Sequence, residues 1–569
     1  MKATGIVAAA ALLFSRATAW STADCHCLPG DSCWPSADQW HVLNSTVGGR
    51  LIATVPVGSP CHDPTYNETA CAELQADWSY PQTHYVSSSS IMQQYFANRS
   101  CDPFTDRSSP CQLGNYVSYA VDVRTGNDVA LAIKFAQRHN IRFVIKNTGH
   151  DYLGRSTGAG ALSVWTHNLK EIKLVNWTDP TYTGPAYKLG SGVQGFDVLE
   201  ATHAQGHVVV GGECPTVGLA GGFTQGGGHS ALSTNFGLGA DQTLAFEVVT
   251  AEGDVVTASR TQNTDLYWAL SGGGAGNYGV ALSVTVKAYP NEIISGASVA
   301  FSTKNLTSTI FIDALDHFHR LLPAMIDAGT TVIYQMLPGA FLIKPLTAYN
   351  MTSAQVKTVL TPFLSELTNL GIPYTVSYTQ FDSYYDHYEK YMGPLPNGNL
   401  AVGEFTYGGR LIPRSALEPT RTTSLATALY NITSQGVIAV GVGLNVAKTN
   451  DVSNAIFAPW REAAISLQIG ISWNNTAPWS QMLAEQKVMT EELVPQLEAV
   501  SPGSGAYENE SNFLQPNWKE TFFGSNYAKL AQIKAKWDPS HFFYVLKGVG
   551  SDHWTVSDSG RMCKASSHR

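Results

Sequence analysis

Charge is what this sequence has least of. Only 14% of its 569 residues are Asp, Glu, Lys or Arg, the formal net charge is −9, and no block of Lys or Arg interrupts the chain. A polyphosphate backbone calls for a basic stripe, so nucleic acid is not an expected partner. After the first twenty residues no apolar run reaches the ~20 residues that cross a bilayer, so no membrane span is expected. The chain lacks a Gly-x-x-x-x-Gly-Lys-[Ser/Thr] loop. It also lacks a Gly-x-Gly-x-x-Gly set between a first strand and a helix with an acidic residue beyond it. Both absences argue against nucleoside triphosphate and nicotinamide enzymes. Internal repeats and low-complexity tracts are missing as well.

Cysteine is sparse and odd in number. Cys25, Cys27, Cys33, Cys61, Cys71, Cys101 and Cys111 crowd the N-terminal region, Cys563 stands at the far end, and Cys214 is alone between them. In an oxidising compartment up to four bridges form among the outer eight and Cys214 is left over. Cys25-His26-Cys27 has no second ligand pair at zinc spacing, so bridges are preferred to a metal site.

What is present fits that compartment. Lys2, the apolar run Ile6 to Phe14 and Ala17-Thr18-Ala19 have the layout of a secretory leader over residues 1–19, cleaved before Trp20. Sequons at Asn44, Asn67, Asn98, Asn176, Asn305, Asn350, Asn431, Asn474 and Asn509 mark a secreted glycoprotein. The length calls for two or more lobes, and 44% hydrophobic residues with 25 Tyr and 13 Trp supply their cores and pockets.

Periodicity predicts a helix over 128–139 stopped at Asn140, then strands over 141–145, 162–165 and 187–190. A helix over 195–204, a strand over 207–210, a hairpin of 246–250 with 255–258, a helix over 264–270 and a strand over 280–288 follow. Between 291 and about 498 the elements lengthen. Strands are predicted at 331–336, 340–349 and 437–446, with a capping box Thr352-Ser-Ala-Gln355 opening a helix that stops at Gly371. Long strands beside a few helices imply an antiparallel sheet with helices on one face.

Three glycine-rich turns follow Ile145, Val210 and Leu270, and exposed backbone N–H groups in such turns bind phosphate without basic side chains. Gly154-Arg-Ser156-Thr-Gly158 matches the nucleophile elbow of a hydrolase, but a turn into a second strand follows it where an elbow requires a helix.

Asn147-Thr-Gly-His150-Asp-Tyr-Leu-Gly154 forms one matching set with Cys214-Pro-Thr-Val-Gly218, Gly221-Gly222, Gly226-Gly-Gly228, Gly276-Asn-Tyr-Gly279 and the tail Phe522-Phe-Gly-Ser-Asn-Tyr527. On these residues the chain resembles the vanillyl-alcohol oxidase and p-cresol methylhydroxylase flavoproteins, in their berberine-bridge-like branch beside fungal isoamyl alcohol oxidases. The resemblance implies an α+β, two-lobed PCMH-type fold with a discontinuous FAD lobe and an antiparallel-sheet substrate lobe covered by helices. In that scheme 20–112 is a disulfide-rich part of the FAD lobe, 113–290 the FAD-binding domain, 291–500 the substrate domain, and 501–569 a segment returning to the FAD lobe.

The resemblance also implies FAD attached twice, to His150 and to Cys214. Asn147, Thr148, Gly149, Asp151, Gly154, Val217, Gly218, Gly221, Gly222, Gly226, Gly227, Gly228, Asn277, Gly279, Val280 and Asn526 would contact it. Hydride would pass from an alcohol to the flavin and electrons on to O2, giving a carbonyl and H2O2, with Tyr507 or Glu510 as base. Polar residues on glycine-flanked strands suggest Tyr407, Arg410 and Asn445 as substrate contacts. The expected partners are a small-molecule alcohol and O2, and the expected state is a monomer. Oxidation or cyclisation of a natural-product intermediate is the alternative enzyme. A flavin or carbohydrate binder without turnover is the alternative outside enzymes.

Overall fold

The computed structural model describes residues 24–449 and 453–566. The leader expected over 1–19 lies outside them. Cys25–Cys563, Cys27–Cys33, Cys61–Cys71 and Cys101–Cys111 are bridged, and Cys214 is the free cysteine.

Thr125 caps the helix Gly126–Arg138 in a capping box with Asp128. Its buried stripe of Val129, Ala132, Ile133 and Ala136 packs on a sheet in the order Leu51–Ala53, Tyr119–Asp122, Leu162–Trp165, Phe143–Lys146. The last three strands are parallel, and the helix is the crossover from Tyr119–Asp122 to Phe143–Lys146. Asn140 takes the left-handed conformation at φ 50°, so the expected helix stop is where the periodicity placed it. A second, antiparallel sheet follows in the order Ile172–Asp179, Tyr182–Gly190, Val280–Lys287, Thr243–Val249, Val255–Ser259.

The second lobe is a seven-stranded antiparallel sheet. Its order is Tyr374–Phe381, Ile294–Ser302, Ala340–Tyr349, Thr330–Leu337, Ile438–Gly443, Ala463–Ser472, Phe405–Pro413. The helices Ser308–Asp327, Ser353–Asn369 and Thr422–Thr433 cover one face around Phe318, Phe341 and Phe363. The opposite face is left for the cavity. Thr352 and Gln355 form the anticipated capping box.

The C-terminal segment returns to the first lobe through the helix Tyr527–Trp537. Buried Lys534 donates to the carbonyls of Asn277 (2.6 Å) and Phe543 (2.7 Å) and pairs with Asp538. Among the described residues no helix is long and apolar enough to cross a membrane.

Candidate active site

The loop after Phe143–Lys146 and the segment after Val210 interlock. A Cβ on Gly218 would lie 2.0 Å from Asn147 Nδ2, so only glycine lets the two backbones meet. Gly149, at φ 90°, turns the chain so that His150 projects from the loop. Thr216 joins the two segments: its hydroxyl lies 2.9 Å from His150 Nε2 and 3.3 Å from Cys214 Sγ. Beneath them Lys146 Nζ donates to Ser87 O (2.7 Å) and Thr148 O (3.3 Å). Burial lowers the Lys146 pKa to about 7. Burial, with smaller effects of His84 and Lys146, lowers His150 to about 3, so its imidazole is neutral. Burial raises the Cys214 thiol.

These loops form one wall of a cavity of about 710 Å³ between the lobes, lined among others by Asn147, His150, Asp151, Cys214, Val217, Gly218, Gly221 and Gly222. The open face of the seven-stranded sheet forms the facing wall. Register places Gln335, Val440, Gln468 and Gly409 in one cross-strand row, with Ile333 and Val442 in the next on one side and Ile438, Gly470 and Tyr407 on the other. Directly opposed residues share a face, so each row is a strip of the wall. Tyr407 stacks on Tyr152 at 3.9 Å between ring centres.

The returning segment closes the cavity. A Cβ on Gly409 would lie 2.1 Å from Glu510 O, so this glycine seats Glu510 against the row that carries Gln468. Gln468 Nε2 donates to the Glu510 carboxylate, and His229 Nε2 lies 2.9 Å from its Oε2. On the other side of the ring, His229 Nδ1 is 3.2 Å from Glu213 Oε2. Burial alone would strip the proton from His229, but Glu510 and then Glu213 hold its pKa well above the ordinary imidazole value. Tyr507 OH accepts from Gly228 N (3.2 Å) and Asn509 Nδ2 (2.7 Å). Burial pushes the phenols of Tyr152, Tyr407 and Tyr507 upward.

Most of the residues singled out in the sequence meet here. His150, Cys214, Asn147, Thr148, Gly149, Asp151, Val217, Gly218, Gly221, Gly222, Gly279, Tyr407, Tyr507 and Glu510 all line the cavity. Several others do not. Arg410 is turned away and donates to Ser501 Oγ (2.9 Å) and Ser501 O (3.1 Å), and Asn445 donates to Asp327 (2.7 Å). Neither touches the substrate space. Asn526 ties down the carbonyls of Ala455 and Ile456, Val280 is core, and Gly154 packs against Phe96. Asn277 lies outside the lining, with its Nδ2 on Gly274 O. Gly226, Gly227 and Gly228 sit behind it, against Asn509, Tyr507 and Phe223. Asn509 itself donates its amide nitrogen to Gly222 O (2.7 Å) inside the cavity, which removes it as a glycan acceptor. Asn67, Asn98, Asn176, Asn305, Asn350, Asn431 and Asn474 are exposed and Asn44 is half-buried. Ser156 is in a loop and donates to Asp151, so no nucleophile elbow exists.

The site holds residues that the sequence alone did not bring out: Tyr152, Glu213, Thr216, His229 and Gln468. His229 was visible only as the last residue of a glycine-rich run. Gln468 gave no signal, since it is one polar residue in an apolar strand.

FAD fits this lining on its own terms. Asn147 Oδ1 and Gln225 Oε1 are buried without a partner, and a Cβ at Gly221 would meet nothing within 4 Å. Buried polar atoms that pair with nothing in the protein mark a missing polar ligand. Glycine backbone facing open space suits a pyrophosphate without a basic side chain, since Arg155 on the same wall is already paired with buried Glu508 at 2.9 Å. Among the described residues no group of His, Cys, Asp or Glu could hold a metal ion.

The comparisons agree. Residues 117–259 match the FAD binding domain family and residues 506–550 the family described as berberine and berberine like. The FAD-linked oxidoreductase ZEB1 of Gibberella zeae is 52% identical over 545 residues, 96% of each chain. The VAO-type flavoprotein oxidase VAO615 of Thermothelomyces thermophilus is 44% identical over 554 residues, 95% of each chain. The crystal structure of the VAO-type flavoprotein MtVAO615 from Myceliophthora thermophila C1 superposes with a TM-score of 0.92 at 43% identity, covering 95% of this chain and 100% of that one. With an FAD-binding lobe, a substrate sheet and a berberine-like return segment around one cavity, the chain belongs to the vanillyl-alcohol oxidase and berberine-bridge family of FAD-linked oxidoreductases.

Proposed function

We propose that the protein is an oxidase that removes hydride from the carbinol carbon of a largely apolar small molecule and passes the electrons to dioxygen. The observation that carries this reading is Glu510. It is a carboxylate anchored by Gln468 and His229 at the point where the cavity's two walls meet. Bound FAD supplies the acceptor for the hydride and the route of its electrons to oxygen, with release of hydrogen peroxide. Glu510 takes the hydroxyl proton as the carbonyl forms. Tyr507 is a poorer base, because burial raises its phenol and its oxygen already accepts two hydrogen bonds. It holds the segment in place. Ile333, Val440, Val442, Met392 and Leu400 give the substrate side an apolar lining, which favours a hydrophobic alcohol over a sugar. A relative at 44% identity that is described as an oxidase supports oxygen as the acceptor.

His150 and Cys214 are proposed as two covalent anchors of the flavin. Thr216 engages Nε2 of His150 and lies beside the sulfur, which leaves Nδ1 of the neutral ring and the thiol for attachment. The leader, seven exposed sequons and four bridges support passage through the secretory route.

The test of the oxidase reading is anaerobic mixing with a panel of hydrophobic primary and benzylic alcohols. Flavin bleaching in the wild type, slowed by about 10²–10⁴-fold in Glu510→Gln, is expected. Bleaching of equal rate in the variant would remove Glu510 as the base. For attachment, the yellow colour should stay with acid-precipitated protein and peptide mass should rise at both His150 and Cys214.

A further inference from the structure

Three ionisable groups from three parts of the chain stand in line: Glu213 at the start of the second glycine-rich segment, His229 at its end, and Glu510 in the returning segment. Their contacts are 3.2 Å and 2.9 Å, one on each ring nitrogen. A neutral imidazole has a single N–H and leaves its other nitrogen a lone pair, which a carboxylate would repel. With an ionised carboxylate on each side, both nitrogens donate and the ring is an imidazolium. The ring is held by Trp460 and Tyr507 at 6.3 and 5.6 Å between centres, and it is nearly fully buried at 6% exposure. The other titratable groups facing Glu510 are Tyr152, Tyr407 and Tyr507, and those facing Glu213 are Tyr384, Tyr388 and Cys214. All six are raised in pKa, chiefly by burial, and carry no charge at neutral pH. His229 is therefore the cation in contact with both carboxylates; Arg155, paired with Glu508, and Lys344 are the other Arg and Lys side chains on the cavity wall.

We propose that His229, locked as an imidazolium by Glu213, is a positioning residue that keeps Glu510 ionised and aimed into the cavity, so that the pH range of the oxidation is set by this three-residue line. It rests on the reading of Glu510 as base and adds the residues that control it. In the proton step the substrate O–H bond breaks, its proton goes to a Glu510 oxygen, and the O–H electron pair becomes the second bond of the carbonyl as hydride leaves the carbon for the flavin. His229 keeps both its protons throughout. Its charge favours the carboxylate before the step, and Gln468 fixes the oxygen that does not take the proton.

The two supporting residues are expected to move opposite limbs of the pH profile. In His229→Gln the carboxylate loses the cation it is paired with, so the acid limb of the rate of flavin reduction should move to higher pH. In Glu213→Gln the imidazolium loses one of its two counter-charges, so an alkaline limb should appear at lower pH than in the wild type. A readout independent of turnover is the infrared band of a protonated carboxyl group, assigned by its disappearance in Glu510→Gln. In His229→Gln that band should titrate in at higher pH than in the wild type. A His229→Gln enzyme that is slower at every pH, with unmoved limbs and an unmoved band, would overturn the inference and leave Glu510 as base intact. Full activity in Glu510→Gln would overturn the base itself. Should His229→Gln fail to fold, Glu213→Gln decides: an alkaline limb where the wild type has it means that Glu213 does not hold the proton on His229.

Discussion

Gly218 shows how tightly single residues determine the cradle. Gly218→Ala forces its Cβ into Asn147 Nδ2, which now donates to Ser191 O at 2.6 Å. The expected result is displacement of Asn147 and a lower flavin content per protein, read from the ratio of visible to ultraviolet absorbance. Cys214→Ala should leave flavin on His150 alone and slow substrate reduction. Unchanged kinetics would show that the second bond has no catalytic part. His150 and Cys214 were legible because each sits in a contiguous run that carries the family resemblance; the glycines alone implied only a phosphate-binding turn. His229 and Glu510 were not legible as a pair, since 281 positions separate them and only the fold brings them together. Arg410 and Asn445 misled for the same reason. Arg410 sits on a strand, where a polar residue points to one of two faces and Gly408-Gly409 does not say which, while Asn445 lies past the end of the strand Ile438–Gly443.

At the scale of elements, the helix Gly126–Arg138 and the strands Leu162–Trp165, Val280–Lys287, Thr330–Leu337 and Ala340–Tyr349 were readable, with ends correct to within a few residues, whereas the long helix Ser308–Asp327 and the strand Ala463–Ser472 were not singled out. Nor were strands Ile172–Asp179 and Phe405–Pro413. The first alternates half-buried and exposed positions, with Lys, Asn and Asp among them, and the second is broken by Gly408 and Gly409. Propensity reads those residues as loop, while pairing at a sheet edge with one neighbour, Tyr182–Gly190 for the first and Ala463–Ser472 for the second, decides otherwise. The return helix depends on Lys534. Replacing it by Met leaves Asp538 buried without its cation, and the loss of stability should be about 3–5 kcal/mol, measured by urea denaturation. Asp538 keeps its bonds from the amides of Phe542 and Phe543, which argues for the lower end.

For the whole molecule, buried histidines set the acid limit. Burial lowers the pKa of His84 and His319 to about 4 and of His387 to about 3. The unfolded chain, with imidazoles near 6.5, binds more protons than the native one below that pH. Their contribution is thus complete above about pH 6.5 and is lost as pH falls toward 4, by about 1.4 kcal/mol for each histidine per pH unit. His229 has the opposite sign: its raised pKa stabilises the fold below the unfolded value, and that support is lost only as pH climbs through the native pKa. A fall in melting temperature from pH 6.5 to 4, flattened in His387→Gln, checks the first effect. A melting temperature independent of pH in that range would contradict it.

Seating Glu510 on Gly409 also imposes an order on biosynthesis. The glycine-rich cradle and all seven strands of the sheet precede Glu510 in the chain, so the proposed base is added after both walls of the cavity have been made. Cys25 emerges early and waits for Cys563, 538 positions later, so this last bridge closes only after Glu510 has been made. Oxidation of that pair is a timestamp on the molecule: a chain sealed end to end has already passed the point at which its chemistry becomes available.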